Sequence, residues 1–205
     1  MMPPAIAYPI PAPPREGPAP WKPDPTRCAL LIHDMQHYFV DRFDRTTSPG
    51  RALFENVTAL REACLRQQIP IVYSAQPGRM TRADRGLLQD FWGEGMTDDP
   101  GSRGLVFPSD GAQVVTKWRY SAFFRTPLAT RLRSLNRSQL LICGVFAHLG
   151  CLLSAADAYA HDIEPFLIAD AVADFTAADH AMALHYAAKA CAATPTTADV
   201  LAHLT

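Results

Sequence analysis

Short apolar runs recur along the chain, and segments with helical periodicity separate them. Five runs stand out, at residues 27–33 (RCALLIH), 70–74 (PIVYS), 113–116 (QVVT), 139–143 (QLLIC) and 165–169 (PFLIA), and a weaker one lies near 194–196. Strands that are apolar throughout, rather than at alternate positions, are typical of parallel sheets covered on both faces. With helices between them, these runs predict a three-layer α/β/α domain around a six-stranded parallel sheet.

Helix signals fill the intervals between the runs. The pair Ser48-Pro49 suits the start of a helix and precedes apolar residues at helical spacing, and Thr126-Pro127 gives a similar start further along. Further helices are predicted at 149–160 and over the alanine-rich stretch 178–193. This alternation favours crossover connections, which parallel strands require.

Composition limits the classes of function. The chain has 205 residues, of which 48% are hydrophobic, and a net charge of −1. These values suit one full core and give no electrostatic reason to bind nucleic acid or an anionic membrane. No apolar run approaches the roughly 18 residues of a membrane span. The first residues lack the basic and then apolar pattern of a signal peptide, so we expect a cytoplasmic protein.

Cysteines and histidines show no metal-binding or redox pattern. The five cysteines contain no C-x-x-C pair, and the seven histidines form neither H-x-H nor H-E-x-x-H. We therefore expect buried, reduced thiols and no metal. Nucleotide-binding glycine motifs and the G-x-S-x-G serine elbow are absent from the sequence as well. No cofactor is expected.

The first 25 residues differ from the rest of the chain. They hold ten of the 18 prolines, which excludes a regular helix or a central strand. We divide the chain into an extended N-terminal arm, residues 1–25, and one domain, residues 26–205. Four apolar residues favour an arm that docks on the domain or on a partner subunit over a free tail: Ile6, Tyr8, Ile10 and Trp21.

Polar residues follow the predicted strands at the edge where open parallel sheets bind ligands. They are Asp34 after the first strand, Gln76 after the second, Lys117 after the third, and Asp170 and Asp174 after the fifth. Alone, such an aspartate is most often a turn residue, and such a lysine a solvated charge. Together at one sheet edge, Asp34 and Lys117 suit an acid that a cation orients.

Two further segments could complete a site. Residues 76–112 form a long irregular connection, typical of a lid or pocket wall. Its Arg79, Arg82 and Arg85 could bind carboxylates, although at least two of them should face solvent. The turn in 144–154 (GVFAHLGCLLS) offers N–H groups at a helix start, which suit an anion. Cys151 in this turn is either a nucleophile or a core residue, and both options stay open.

Several of these segments together match one family. The motifs are LIHDMQ, YSAQPGRMT, RGLLQDFWGEGM, TKWRYSAFF, GVFAHLGC and PFLIADAVADF. On these motifs, from about residue 5 onward, the chain resembles the isochorismatase-like hydrolases. We expect a stand-alone isochorismatase of the phenazine-pathway type, without the carrier domain that follows the hydrolase domain in siderophore-pathway relatives. The resemblance implies a Rossmann-type strand order, a small chorismate-derived substrate and a homodimer.

The resemblance implies hydrolysis of a vinyl ether. The substrate, 2-amino-2-deoxyisochorismate or isochorismate, would yield pyruvate and a trans-dihydro-hydroxyanthranilate or dihydro-dihydroxybenzoate. Asp34 would be the general acid, with no covalent intermediate. Lys117 would orient Asp34, and Gly150 would leave room at the position that holds cysteine in related nicotinamidase-type enzymes. Cys151 would then be turned away by about 100°.

Substrate-binding residues are implied as well. They are Gln76 and Arg85 for carboxylates, and Phe39, Trp92 and Tyr120 for the ring. Phe146 stands where the family usually has tyrosine, so one phenol O–H near the substrate is lost. A cis peptide is expected between Val145 and Phe146.

Two other interpretations stay open. A cysteine amidohydrolase of the nicotinamidase type would use Cys151 together with Asp34 and Lys117. A non-catalytic paralogue, which the substitution at Phe146 suggests, would bind product without turnover. The sequence also does not choose between an amine and a hydroxyl on the substrate ring.

Overall fold

A computed structural model describes residues 3–14 and 17–204 of the chain. Five strands of those residues form one sheet: β1 (Cys28–His33), β2 (Ile71–Ala75), β3 (Gln113–Thr116), β4 (Gln139–Val145) and β5 (Glu164–Ala173). Every neighbouring pair is parallel, and the order is β3-β2-β1-β4-β5. The predicted parallel sheet is confirmed.

Strand β1 lies at the centre of the sheet. Its Leu30 pairs with Ile71 of β2 on one side and with Leu141 of β4 on the other, and all six of its residues are buried. Successive residues of a strand face opposite sides of the sheet. Leu30 accordingly lies in one hydrophobic core and Leu31 in the other, which explains why the sequence of β1 is apolar without alternation.

Helices occupy the intervals that the sequence predicted. Those described are α1 (His37–Val40), α2 (Gly50–Arg66), α3 (Arg82–Arg85), α4 (Leu88–Trp92), α5 (Pro100–Arg103), α6 (Leu128–Ser134), α7 (Leu152–Ala160), α8 (Ala177–Ala190) and α9 (Thr197–His203). The predicted helix at 149–160 begins instead with a π-helical turn, Ala147–Cys151. None of the described helices combines the length and the apolar character that crossing a bilayer requires.

Both faces of the sheet are covered by helices. On the face that holds Leu30, α2 and α9 contribute Leu60 and Val200 to the core. On the opposite face, α6 and α8 contribute Leu132 and Leu184, and α7 packs beside them. The domain therefore has three layers, with the sheet in the middle.

The prediction of a sixth strand is wrong. Near residue 194 the described chain forms only an isolated bridge, between Ala193 and Phe166 of β5. The Ala193 N–H donates to the carbonyl of Pro165, and the Ala169 N–H donates to the carbonyl of Pro195. Pro195 has no N–H with which to continue the ladder, so the pairing stops and the sheet has five strands.

Strand β5 is longer than predicted, and this changes the position of Asp170. The strand continues to Ala173, so Asp170 lies within it, and only Asp174 follows it. The Asp170 carboxylate accepts hydrogen bonds from the backbone N–H and the hydroxyl of Thr197, each at 2.7 Å. Its role is to hold the start of α9.

Arm residues lie against the domain. The Tyr8 N–H donates to the carbonyl of Ser48 at 3.0 Å, and the Ile6 N–H donates to the carbonyl of Phe175 at 3.2 Å. The Tyr8 hydroxyl accepts from the Asp174 N–H at 2.8 Å and lies 3.1 Å from Nδ1 of His180. These contacts connect the arm to the end of β5 and to α8.

Candidate active site

A cavity opens where β1, β2, β3 and β4 end, and its empty volume is about 480 Å³, including space open to solvent. All nine residues that the resemblance implied for the site line this cavity: Asp34, Phe39, Gln76, Arg85, Trp92, Lys117, Tyr120, Phe146 and Gly150. Five other lining residues were missed: Tyr38, Leu88, Val145, Leu149 and Phe175. Three of the residues predicted to follow strands, Asp34, Gln76 and Lys117, thus lie around one cavity, while part of its apolar wall was not foreseen.

Asp34 is the first residue after β1 and is held rigidly. Its backbone has a φ of 49°, a left-handed conformation that aspartate tolerates better than most residues. Ser74 of β2 donates its hydroxyl to Oδ1 at 2.6 Å, and the Asp34 N–H donates to the Ser74 carbonyl at 3.2 Å. Only 3% of Asp34 is exposed, so the carboxyl meets the cavity in one fixed orientation.

Lys117, one residue past β3, pairs with this carboxyl. Its Nζ lies 2.8 Å from Oδ2 of Asp34 and also donates to the carbonyls of Arg119 at 2.8 Å and Tyr120 at 3.3 Å. All three ammonium protons thus have acceptors. Lys117 is 1% exposed, and such a buried pair tolerates loss of neither partner.

His33, the last residue of β1, is a polar residue of the site that sequence reasoning missed. Its Nδ1 donates to the carbonyl of Val145 at 2.9 Å and lies 3.8 Å from Oδ1 of Asp34. A carbonyl only accepts, so Nδ1 carries the proton. Burial lowers the pKa of His33, and the charge of Asp34 opposes this only in part. The ring is therefore neutral.

The position of Gly150, where the resemblance implied room in place of a cysteine, lies against the His33 ring. A Cβ on Gly150 would lie 2.1 Å from Cε1 of His33. The space is filled by the imidazole, which approaches the Gly150 backbone as only glycine allows. Glycine is needed at position 150 because the His33 ring occupies the space of a side chain there.

The segment 76–112 forms the roof of the cavity through short helices α3 and α4. Arg85 is 5% exposed, and no carboxylate of the described residues lies within ion-pair distance of it. Its Nε donates to the Gly93 carbonyl, and burial lowers its pKa. Arg79 and Arg82 are exposed, as expected for at least two of the three.

Aromatic rings form the apolar wall. Phe146 stacks on Phe175 with ring centroids 4.1 Å apart, and the Phe39 ring meets Phe146 edge-on at 6.1 Å. Trp92 donates its Nε1–H to the Tyr120 hydroxyl at 2.6 Å. The peptide between Val145 and Phe146 is cis, as the resemblance implied. Phe175 could have been found as the residue after Asp174, at the end of β5.

Cys151 does not reach the cavity. It is fully buried in the core on the Leu31 face of the sheet, and burial raises the pKa of its thiol well above the ordinary value. A thiol of this kind is neither ionised nor accessible. All five cysteines are free and buried.

Three side chains of the described residues bring metal-type ligand atoms within 4.8 Å of one another: His148, Asp174 and Asp179. The protein itself already uses these atoms. The Asp174 carboxylate accepts from the N–H groups of His148 and Phe175 at 2.6 and 2.8 Å, and Asp179 accepts from Thr176 at the start of α8. These contacts give the cluster a structural role beside the aromatic wall.

Comparisons with known proteins match most of the chain. The family model described as the isochorismatase domain matches residues 28–199. Phenazine biosynthesis protein PhzD1 of Pseudomonas aeruginosa is 48% identical over 200 residues, which are 95% of this chain and 96% of that protein. The isochorismatase of Bacillus subtilis is 48% identical over 187 residues, which are 90% of this chain and 60% of that relative.

A solved structure shares the fold. The cysteine hydrolase from Pseudomonas syringae pv. phaseolicola matches with a TM-score of 0.80 over 90% of this chain and 95% of that one. Its sequence identity of 21% supports a common fold and no more. From the family model and the two relatives at 48% identity, the chain belongs to the isochorismatase family.

Proposed function

We propose that the chain hydrolyses the enolpyruvyl vinyl ether of isochorismate or 2-amino-2-deoxyisochorismate, with Asp34 as the proton donor. One observation carries the proposal: a buried carboxyl, fixed by Ser74 and Lys117, faces an apolar cavity at the sheet edge. The names of the relatives support the same reaction type, because one is an isochorismatase and another a phenazine biosynthesis protein. Isochorismatase-type hydrolysis is thus the activity of this enzyme.

Substrate recognition rests on the roof and the aromatic wall. Isochorismate carries two carboxylates, and Arg85 is a buried cation without a carboxylate partner of its own among the described residues. Arginine binds carboxylates through paired N–H donors, so Arg85 takes one of them, and the Gln76 side chain assists. The rings of Phe39, Trp92 and Tyr120 enclose the cyclohexadiene. With Phe146, no phenol reaches the ring substituent from that side.

The chemical step needs a single acid. Asp34 transfers its proton to the terminal methylene carbon of the enolpyruvyl group, and the π electrons of the double bond form the new C–H bond. Water adds to the ether carbon of the resulting oxocarbenium ion and gives up one proton to the Asp34 carboxylate, which leaves a hemiketal and restores the acid. The bond between the hemiketal carbon and the ring oxygen then breaks while the hydroxyl proton passes to that oxygen, so that pyruvate and the ring alcohol leave.

Lys117 has two roles in this step. It fixes the carboxyl that donates the proton, and its charge lies beside the anionic substrate. No nucleophile is needed, which agrees with the position of Cys151 in the core.

Replacing Asp34 by asparagine tests the proposal. The amide keeps the shape but cannot donate the proton, so kcat should fall by about 10²- to 10⁴-fold. Pyruvate release from both substrates, followed with a coupled dehydrogenase assay, measures the loss. Asp41→Asn is the matched control, because Asp41 is exposed and pairs with His37 on the surface. Full turnover in Asp34→Asn would remove Asp34 as the acid.

The same assay chooses between the substrates. Relatives at 48% identity carry both the phenazine and the isochorismatase names, so the ratio of kcat/KM for the amino and hydroxy substrates decides the assignment. Iodoacetamide treatment tests the amidohydrolase alternative: with Cys151 buried, activity should survive it, and a loss that Cys151→Ala reproduces would favour that alternative.

We also propose that the protein is a homodimer and that residues 1–25 act as a docking arm for residues 26–205. The contacts of Ile6 and Tyr8 with the domain support docking within one chain. Light scattering on the full chain, compared with a chain that lacks residues 1–25, measures both the mass and the effect of the arm on it. A monomer at all concentrations would exclude the dimer.

A further inference from the structure

We propose that His33 is a specificity-determining residue, because its ring occupies the space that a side chain at position 150 would need and so keeps a nucleophile out of the site. The inference deepens the proposed function and rests on it for the statement that Asp34 works as an acid alone. The steric relation between His33 and position 150 is independent of turnover.

The conflict at position 150 is one of space. A Cβ on Gly150 would lie 2.1 Å from Cε1, 2.8 Å from Nε2 and 3.0 Å from Nδ1 of His33. Real Cβ atoms do not approach other heavy atoms so closely, so either the ring or the turn would have to move. The ring is fully buried, and its Nδ1–H is bound to the Val145 carbonyl at 2.9 Å. It is a fixed neighbour.

Backbone conformation does not require glycine at this position. The glycines with positive φ are 86, 93, 95, 111 and 144, and Gly150 is not among them. Gly150 lies in the π-helical turn, where any L-residue fits the backbone. The three nearest atoms that a Cβ would meet all belong to the His33 ring, so removing the ring should remove the closest contacts.

A side chain at position 150 would stand in chemically active surroundings. Gly150 lines the cavity together with Asp34 and Lys117, and the ring that fills its side-chain space is 3.8 Å from Oδ1 of Asp34. A thiol there would have a carboxylate for its proton and an ammonium for its charge, which are the needs of a nucleophile. His33 and Gly150 together therefore restrict the site to proton donation.

The steric step is tested by a double-mutant cycle on the full chain. Gly150→Ala should shift the urea midpoint to lower concentration when His33 is present and leave it nearly unchanged beside His33→Ala. Equal shifts in both backgrounds would overturn the proposal. If Gly150→Ala does not fold, recovery of the folded protein in the double variant supports it, and no recovery overturns it.

Gly144→Ala is the matched control. A Cβ on Gly144 would lie 2.1 Å from the backbone oxygen of His33, and Gly144 has a φ of +112°. Shortening the His33 side chain cannot relieve that contact. Gly144→Ala should therefore lower the urea midpoint equally with and without His33→Ala. A smaller shift beside His33→Ala would mean that this substitution loosens the whole region and does not act on position 150 in particular.

The labelling rate of a thiol introduced at position 150 is a second measurement, and a purely structural role of His33 would not change it. In the double variant His33→Ala, Gly150→Cys, the introduced thiol should react with iodoacetamide at least about tenfold faster than the five buried native thiols, as peptide mapping shows. With His33 intact, the thiol at position 150 should label slowly or the chain should lose stability. Equal labelling with and without His33 would overturn the proposal. Failure of pyruvate release in the unmodified chain would affect only the proposed function.

Discussion

The floor and the roof of the cavity are built in different ways. The floor consists of strand ends, where Asp34 and Lys117 are each less than 5% exposed and each held by several hydrogen bonds. The roof consists of four- and five-residue helices in segment 76–112, with Leu87 and Phe91 exposed at 76% and 73%. The group proposed for chemistry is thus on the rigid part, and the groups proposed for substrate recognition are on the part with fewer restraints.

The two cavity cations show what this difference means. Lys117 is paired with a carboxylate and has all three protons bound, whereas Arg85 is held by a backbone carbonyl and has no acid beside it among the described residues. Gly95, at φ +82°, permits the guanidinium to approach, since a Cβ there would come within 2.5 Å of it. Lys117 is thus bound within the folded structure, and the absence of a carboxylate partner suits Arg85 to its proposed role in binding a substrate anion.

Replacing each cation by methionine should distinguish an effect on stability, expected for the floor, from an effect on substrate binding, expected for the roof. Lys117→Met leaves the Asp34 charge buried without its partner, which should cost about 3–5 kcal/mol of unfolding free energy and most of the activity. Urea unfolding and the pyruvate assay measure the two effects. A change below about 1 kcal/mol would show that the floor is not held by this pair.

Arg85→Met should act on binding rather than on folding. Loss of a charged hydrogen bond to the substrate costs about 1.5–3 kcal/mol, so KM should rise by about 10- to 100-fold with a smaller change in kcat. Arg82→Met, on the same short helix but exposed, is the control and should leave KM unchanged. An unchanged KM in Arg85→Met would remove the roof from recognition.

A substitution at Tyr8 tests the contact between the floor and the roof of the cavity. Phe175 stacks with Phe146 on the floor side and with Trp92 of the roof, and the preceding Asp174 N–H donates to the Tyr8 hydroxyl. Tyr8→Phe leaves that N–H without its partner and should cost about 1–3 kcal/mol of unfolding free energy. Tyr159→Phe, at an exposed position, should have little effect. Equal effects would mean that the arm does not support the wall.

The smallest expected effect depends on pH. Burial opposes the charge on His148, but the hydrogen bond and charge of Asp174 outweigh it, so the pKa of His148 is raised from its ordinary 6.5. The stability from this pair, about 1 kcal/mol, is then fully present below pH 6.5 and is lost as pH rises through the raised pKa. The difference in unfolding free energy between the unmodified chain and His148→Gln should shrink with increasing pH. His185→Gln is the exposed control, and a difference that grows with pH would contradict the assignment.

The floor residues Asp34 and Lys117 were largely predictable from the sequence, but the contacts of His33 beside them were not. Apolar runs locate the strands, and the polar residue after each run locates Asp34 and Lys117, because parallel strands end at one edge. His33 belongs to the run itself, and its importance depends on Val145, which is 112 residues away. No local pattern contains such a contact, so the reason for Gly150 emerges only from the folded chain.

The roof and the arm were predictable only in outline. An irregular stretch of that length indicated a pocket wall, and it supplied Gln76, Arg85, Leu88 and Trp92. Thr81 caps α3 and Asp99 caps α5, whereas α4 has no side-chain cap. Likewise, the prolines of the arm exclude regular structure without saying that Tyr8 reaches Asp174. In both regions the conformation of the chain depends on packing against distant elements.

The position of Asp34 next to the central strand has a consequence for how the enzyme matures. The direction of its carboxyl is set by a left-handed backbone turn and by a hydroxyl from the adjoining strand, so the acid has no correct orientation until those two strands have paired. For the acid proposed here, activity therefore requires that β1 and β2 have paired. In a refolding chain, pyruvate release should not precede that pairing.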